Sequence, residues 1–185
     1  MSGEIADALE RAAQKQFTQD PPKTIQARIN YLMRQLGTTK AVAAEIGVTP
    51  DSVNRYRRGT RRNPPADIAA RIDAAVRARW QPGVRRRARK QAITRGVTIE
   101  TRARFGYKAA ARTTDDGRFR RLTVKLSTYH TRRLFEAQER GATDQLLRDI
   151  VAEGFKETYF QDNGARAVGL SDVYLTNIDY LDIEY

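Results

Sequence analysis

The sequence predicts an α+β protein, with helices in its first half and strands followed by helices in its second. Three observations support this class. Apolar residues recur at three- and four-residue spacing as far as residue 80, which is typical of amphipathic helices. The period changes to two over residues 97–107 and again over 119–126, which indicates half-buried strands. Helical spacing returns between residues 128 and 160.

The first half contains five predicted helices. Residues 3–17 carry apolar side chains at four-residue spacing, and two prolines end this helix. Residues 24–36 form a second helix, and residues 66–80 form a helix after an Asn-Pro-Pro break. Two shorter helices lie between them, in residues 39–58. All five are expected around one small core.

Residues 39–58, TKAVAAEIGVTPDSVNRYRR, are typical of a helix-turn-helix. Gly47 can take the left-handed conformation that a tight turn between helices needs. Thr49 is a good N-cap, and Pro50 suits the first position of the second helix. Apolar residues of both helices form the buried face: Val42, Ala43, Ile46, Val53 and Tyr56.

The outward face of this second helix suits the major groove of DNA. Asparagine can pair there with adenine and arginine with guanine. Basic residues continue past the helix end, where they would contact phosphates. An ordinary helical hairpin with a solvated basic face is the alternative. The predicted DNA contacts are Thr49, Ser52, Asn54, Arg55, Arg57, Arg58, Arg61 and Arg62.

Charge is unevenly distributed along the chain, whose net charge is +12. Residues 55–104 hold sixteen basic and three acidic side chains, a net +13, whereas residues 136–185 hold four basic and eleven acidic ones, a net −7. The basic half predicts a polyanionic partner. Its densest run is expected to be solvated and to follow the sugar-phosphate backbone. That run consists of Arg85, Arg86, Arg87, Arg89 and Lys90.

Composition excludes several classes of protein. The chain has no cysteine, which excludes disulfides and thiolate metal sites, and one histidine, His130, which argues against zinc. His130 is expected at the surface or in a helix cap. No apolar run approaches the roughly 18 residues of a membrane helix, and no secretory signal is evident. A cytoplasmic protein without a cofactor of its own is expected.

The second half predicts a strand–loop–strand–helix–helix order, in which Ser127 or Thr128 caps the first of these helices and Thr143 caps the second. The polar face of the first strand carries Arg102 and Arg104, two further predicted DNA contacts. The strands either pair with each other across the loop 108–118, or form a ribbon-helix-helix in which strands of two chains pair in a homodimer. The acidic, aromatic ending has strand propensity, and would add an edge strand or dock on a partner.

These patterns predict five consecutive segments. An amphipathic helix comes first, and a helix-turn-helix DNA-binding domain follows it. An arginine-rich linker or helix leads to the domain of strands and helices, and an acidic tail comes last. The boundaries are 1–22, 23–81, 82–96, 97–160 and 161–185.

Taken together, several segments resemble the telomere terminal proteins of Streptomyces linear chromosomes and plasmids. They are RWQPGVRRRARKQA, VTIETRARFGY, a TDD turn, YFQD and the acidic IDYLD. The resemblance runs along nearly the whole chain. It implies a protein primer bound to telomeric DNA, as a duplex end or a single-stranded 3′ overhang. A telomere-binding partner protein would recruit it, and a DNA polymerase would supply Mg²⁺ and the dNTP.

The resemblance also implies the attachment site. The primed hydroxyl of the family is the threonine before an Asp-Asp pair, which here is Thr114, before Asp115 and Asp116. Thr113 is an adjacent competitor. Residues 97–160 would then be a priming domain, and the protein would associate with the nucleoid at replicon ends. Two alternatives remain: a non-covalent helix-turn-helix transcriptional regulator, and a self-acting nucleotidylyl transferase.

Overall fold

The predicted α+β class is confirmed by the computed structural model, which describes residues 3–109, 117–165, 167 and 169–185, with the backbone alone for 107–109 and 171. The first helices are α1 Glu4–Lys15, α2 Ile25–Leu36, α3 Thr39–Ile46, α4 Pro50–Arg58, α5 Ala66–Arg79 and α6 Pro82–Arg95. After them come the strands β1 Thr98–Ala109 and β2 Arg118–Lys125, the helices α7 Thr128–Glu139 and α8 Asp144–Phe155, and the strand β3 Leu170–Glu184.

The chain divides into two compact units. The helical unit comprises Phe17–Val84, and the sheet unit comprises Met1–Gln16 together with Arg85–Tyr185. The expectation that the first five helices share one core is therefore wrong for α1. Its apolar stripe packs in the core of the sheet unit, and Asp144 accepts a 3.0 Å hydrogen bond from the backbone N–H of Ile5. The four-residue spacing shows that one helix face is buried, but not which element covers it.

Threonine caps begin three helices of the helical unit. The hydroxyls of Thr24, Thr38 and Thr49 each accept a hydrogen bond from the backbone N–H three residues further on. Such caps each contribute about 1 kcal/mol. The four helices α2–α5 share one core of fully buried side chains: Ile29, Leu32, Val42, Ile46, Val53, Tyr56, Ile72 and Val76.

The sheet unit is built on an antiparallel sheet in the order β2-β1-β3. Apolar residues of β1 and β2 face the core, and their charged neighbours face away, as the alternation predicts. β2 pairs with β1 of its own chain, with Ile99 opposite Val124. The predicted local hairpin is thus confirmed. A short connection favours this outcome because closing it costs little entropy.

The acidic ending forms the edge strand β3 beside β1. Its poor alternation has a local cause. The pairing register shifts between Arg102 and Arg104, and Asn177 in the bulge has a φ of 46°. A bulge of this kind changes the face on which the following side chains lie. The buried Thr101 hydroxyl donates a 2.8 Å hydrogen bond to the Tyr180 carbonyl beside the bulge.

Of the two predicted caps of α7, Ser127 is the one used, because its hydroxyl accepts a hydrogen bond from the His130 backbone N–H. Thr143 caps α8 as predicted and accepts from the Leu146 backbone N–H. His130, expected at the surface or in a cap, is instead 5% exposed. Its Nε2 lies 2.6 Å from an Oε2 of Glu157. Glu157 belongs to a π-helical turn, Lys156–Phe160, that continues α8. The expectation for His130 was wrong because the π-helical turn places the Glu157 carboxylate beside the imidazole ring, and no pattern in the sequence indicates such a turn.

Candidate nucleic-acid interface

The candidate interface of the helical unit is built on α3 and α4. Gly47 ends α3 with a φ of 66° and a ψ of 44°, the left-handed conformation that the turn requires. Thr49 then caps α4, and Pro50 occupies its first turn. Val42 and Ile46 of α3 are fully buried in one core with Val53 and Tyr56 of α4. The predicted helix-turn-helix is therefore present, with α4 held by its apolar face.

The predicted DNA contacts on α4 fall into two groups. Arg55, Arg57 and Arg58 are exposed, and Asn54 is half-buried beside them. Thr49 and Ser52 bond to each other, because the Thr49 hydroxyl accepts from the Ser52 backbone N–H at 3.3 Å and lies 3.0 Å from its hydroxyl. Thr49 is thus primarily a cap, whereas the side chains of the first group are at least partly accessible on the outer side of α4.

Arg55 forms an ion pair with Asp51, one helical turn away, at 2.8 Å. Both side chains are more than 60% exposed, at 61% and 67%. An exposed pair of this kind contributes at most about 1 kcal/mol. Arg55 can therefore exchange Asp51 for a base or a phosphate at small cost.

A basic groove of about 550 Å³ lies where α4 ends beside the first turn of α2. The Arg61 guanidinium is 5.6 Å from the centre of the Tyr56 ring, and Arg62 donates from Nε to the Gly59 carbonyl. The first backbone N–H groups of a helix point outward and favour an anion. The groove is therefore suited to a phosphate group. Its basic lining residues are Lys23, Arg58, Arg61 and Arg62.

The arginine-rich run forms α6, and its side chains do not all face solvent as predicted. Arg85 forms an ion pair with Glu10, and its side chain is 19% exposed. Arg89 pairs with Glu139 and lies 5.1 Å from the centre of the Phe135 ring, and burial lowers its pKa. The helical period explains the correction, because Arg85 and Arg89 share a face with the buried Ala88 and Ala92. The residues left facing solvent are Arg86, Arg87 and Lys90.

The two predicted DNA contacts on β1 lie on the open face of the sheet. Arg102 forms a 3.4 Å ion pair with Asp179, and Arg104 donates a 2.7 Å hydrogen bond from Nε to the Gly117 carbonyl. Exposed aromatic rings share this face, and the sequence reasoning missed them. One signal was present: Phe119 is in phase with the polar residues of the alternating segment 119–126.

Four predicted site residues, Thr113, Thr114, Asp115 and Asp116, lie outside the described residues. They belong to the stretch of sequence between β1 and β2. In the described ranges, no group of three or more His, Asp or Glu side chains is placed to hold a metal ion. None of the helices in those ranges is both long enough and apolar enough to cross a membrane.

Comparison with known proteins identifies one segment. A family model described as helix-turn-helix matches residues 29–77, which run from α2 into α5. No curated protein and no solved structure matches the chain. The matched range contains α3, the turn at Gly47 and α4, and so coincides with the interface described above. The chain therefore carries a helix-turn-helix DNA-binding segment.

Proposed function

We propose that this chain is a terminal protein of linear replicons, which binds the DNA end and primes its own covalent attachment to the 5′ strand. The proposal rests chiefly on the Thr-Asp-Asp segment at residues 114–116, which lies in the sequence between the paired strands β1 and β2. The open face of these strands carries arginines, and the same chain contains a helix-turn-helix. The resemblance to telomere terminal proteins points to the same segment. Nucleoid association at replicon ends would follow.

In this proposal α4 holds the duplex near the end. Asn54, which is half-buried, and Arg55, which is exposed, face the major groove and read base edges, as side chains at the start of a recognition helix do. Arg58, Arg61 and Arg62 line the groove beside α2 and hold a phosphate. Neutralising phosphates in this way makes binding strongly dependent on salt.

Thr114 would take the place of the primer 3′-hydroxyl. Its Oγ forms a bond to the α-phosphorus of the dNTP, the bond from that phosphorus to the β-phosphate bridge breaks, and pyrophosphate leaves. The hydroxyl proton passes to a base in the polymerase site. A polymerase would supply Mg²⁺, which neutralises the phosphates and lowers the pKa of the hydroxyl. Asp115 and Asp116 would orient the hydroxyl, and a telomere-binding partner would bring the chain to the overhang.

A transfer assay tests the proposal. The full chain is incubated with polymerase, partner protein, template and radiolabelled dNTP, and the protein is then denatured. We expect label that survives denaturation, is lost in Thr114→Ala and is retained in Thr114→Ser and Thr113→Ala. Loss in Thr113→Ala with retention in Thr114→Ala would move the attachment to the neighbouring residue. Label that forms without polymerase would indicate a self-acting transferase.

A second candidate is a transcriptional regulator that binds DNA without covalent attachment. The helix-turn-helix family model matches only residues 29–77, and this segment by itself would be sufficient to recognise a duplex, which favours a regulator. Both candidates use α4 in the same way. Tight binding to a duplex site, together with no surviving label under any condition, would establish the regulator instead.

A further inference from the structure

Among the side chains that the structure describes, three exposed aromatic rings lie on the open face of the sheet. Phe119 is 52% exposed, Tyr174 41% and Tyr180 37%. They lie opposite Arg104, Gly106 and Arg102 of β1, respectively. Alternate residues of a strand share a face, so these three β1 positions and the rings opposite them lie on one side of the sheet. Exposed rings clustered on one face are unusual, since an apolar surface of this kind is normally buried or used for binding.

The ring of Tyr174 is held flat against the sheet. A Cβ at Gly106 would overlap its Cε2, Cζ and hydroxyl atoms, so the ring occupies the space above that glycine. One ring face therefore rests on the β1 backbone, and the other is available. Tyr180 is also fixed, because its hydroxyl donates a 2.6 Å hydrogen bond to Glu100 and its ring lies 5.9 Å from the Arg121 guanidinium.

Basic side chains surround these rings. Arg121 is 71% exposed and Arg102 59%, and Arg104 and Lys125 are exposed on the same face. Three carboxylates of this region are each paired with a cation: Glu100 with Arg121, Asp179 with Arg102, and Asp182 with Lys15. Two more, Asp172 and Glu184, are exposed along β3, so the positive charge is concentrated on β1 and β2.

We infer that this face binds single-stranded DNA, with unpaired bases stacked on Phe119 and Tyr174 and the phosphates directed to Arg102, Arg104 and Arg121. Bases in a duplex stack on each other and leave no face for a protein ring, whereas an unpaired strand offers one at every base. Rings combined with arginines are the chemistry of single-strand binding surfaces. The surface extends the proposed function, since an end with an overhang contains both a duplex and an unpaired strand.

The dimensions of the face suit a short strand. Neighbouring strands lie about 4.8 Å apart and residues along a strand about 3.4 Å, which places Phe119 and Tyr180 about 12 Å apart and Tyr174 about 14 Å from Tyr180. This span corresponds to the smallest single-strand sites, of about four nucleotides. Little sequence preference is expected, because every base has a ring face.

The test measures binding of the full chain to a labelled oligothymidylate of about 12 nucleotides by fluorescence anisotropy, with a random duplex as the comparison. Phe119→Ala and Tyr174→Ala should each weaken single-strand binding by about 5- to 150-fold. Gly106→Ala should act in the same direction, because it displaces the Tyr174 ring without removing it. Phe119→Tyr and Tyr174→Phe keep the ring and should bind as the wild type does.

Tyr129→Ala is the matched control, because this ring is 64% exposed on α7, away from the sheet face. It should leave the affinity for oligothymidylate unchanged. Thermal melting of each variant verifies that it is folded. The inference is overturned if folded Phe119→Ala and Tyr174→Ala bind oligothymidylate as tightly as wild type, or lose duplex and single-strand affinity equally. Nucleotide transfer to Thr114 is measured separately, so failure of either proposal is distinguishable from failure of the other.

Discussion

Arg85 of α6 and Glu10 of α1 form a two-pronged ion pair, with Nη1 2.9 Å from Oε2 and Nη2 2.5 Å from Oε1. The Arg85 side chain is 19% exposed and that of Glu10 35%. Bidentate pairs that are partly removed from water are stronger than exposed ones. The arginine-rich run therefore contains two kinds of residue. Arg85 stabilises the sheet unit through this ion pair, whereas Arg86, Arg87 and Lys90 face solvent.

Removing this pair should destabilise the sheet unit. Arg85→Ala or Glu10→Ala leaves one charge without its partner, and we expect a loss of about 1–2 kcal/mol in the free energy of unfolding. Arg86→Ala is the matched control, since Arg86 is exposed on the same helix. This substitution should change the free energy of unfolding by less than about 0.5 kcal/mol. Urea denaturation measures both. If Arg85→Ala and Arg86→Ala lowered the free energy of unfolding equally, the ion pair of Arg85 would not stabilise the sheet unit.

The solvent-facing residues of the run should contribute to the salt dependence of DNA binding. Replacing Arg86, Arg87 and Lys90 together with alanine should flatten the slope of log affinity against log salt, by up to about 0.9 for each phosphate that these side chains neutralise. The measurement is duplex affinity at several salt concentrations. A slope unchanged in the triple variant would show that α6 does not follow the DNA backbone.

The front of α4 should read bases. Asn54→Ala and Arg55→Ala are each expected to cost about 1–3 kcal/mol on a site selected from random duplexes, and less on a random duplex. Arg34→Ala is the control, because Arg34 is an exposed arginine of α2 whose guanidinium lies 6.0 Å from the Tyr31 ring centre. Competition binding on both duplexes decides the point. Equal losses on both would mean that Asn54 and Arg55 contact phosphates only.

Tyr185 should make the stability of the sheet unit depend on alkaline pH. Its ring meets that of Phe135 edge-on at 5.6 Å, and burial raises its pKa from 10.0 to about 12. The folded state therefore favours the neutral phenol. This contribution to the free energy of unfolding is at most about 2.7 kcal/mol for this rise in pKa, and less because Tyr185 is partly exposed to solvent. It is complete below pH 10.0 and is lost as the pH rises toward about 12.

Urea denaturation across this pH range measures the effect. Tyr185→Phe cannot ionise, so its unfolding free energy should fall less steeply with pH than that of the wild type. Tyr129→Phe removes an exposed hydroxyl and should retain the wild-type dependence. If the unfolding free energy of Tyr185→Phe fell with pH as steeply as that of the wild type, ionisation of Tyr185 would not cause the loss of stability at alkaline pH.

Most elements could be predicted from local patterns. Threonine and serine caps, prolines and changes of period are short-range signals, and they located α4, α7 and α8 at the residues where these helices begin. Partners distant in sequence could not be predicted in this way. The stripe of α1 does not encode its contact with Asp144, and the run of α6 does not show that Glu10 and Glu139 neutralise two of its arginines.

The two candidate sites, the helix-turn-helix and the open face of the sheet, also differ in how far apart in sequence their residues lie. The helix-turn-helix depends on neighbours within twenty residues, and its geometry agrees with the pattern from Val42 to Tyr56. The open face of the sheet combines Phe119 with Tyr174 and Tyr180, which come from strands far apart in sequence. Their common face depends on the pairing register and on the bulge near Asn177, neither of which local alternation reveals.

Mass spectrometry of the DNA-attached protein can identify the side chain that carries the first nucleotide. The chain is isolated after a complete priming reaction, the DNA is digested to its last nucleotide, and the protein is cleaved into peptides. We expect a single deoxynucleoside monophosphate on the peptide containing Thr114, with fragment ions that assign it to that residue. A nucleotide found on any other side chain, or none on a protein that has supported synthesis, would contradict it.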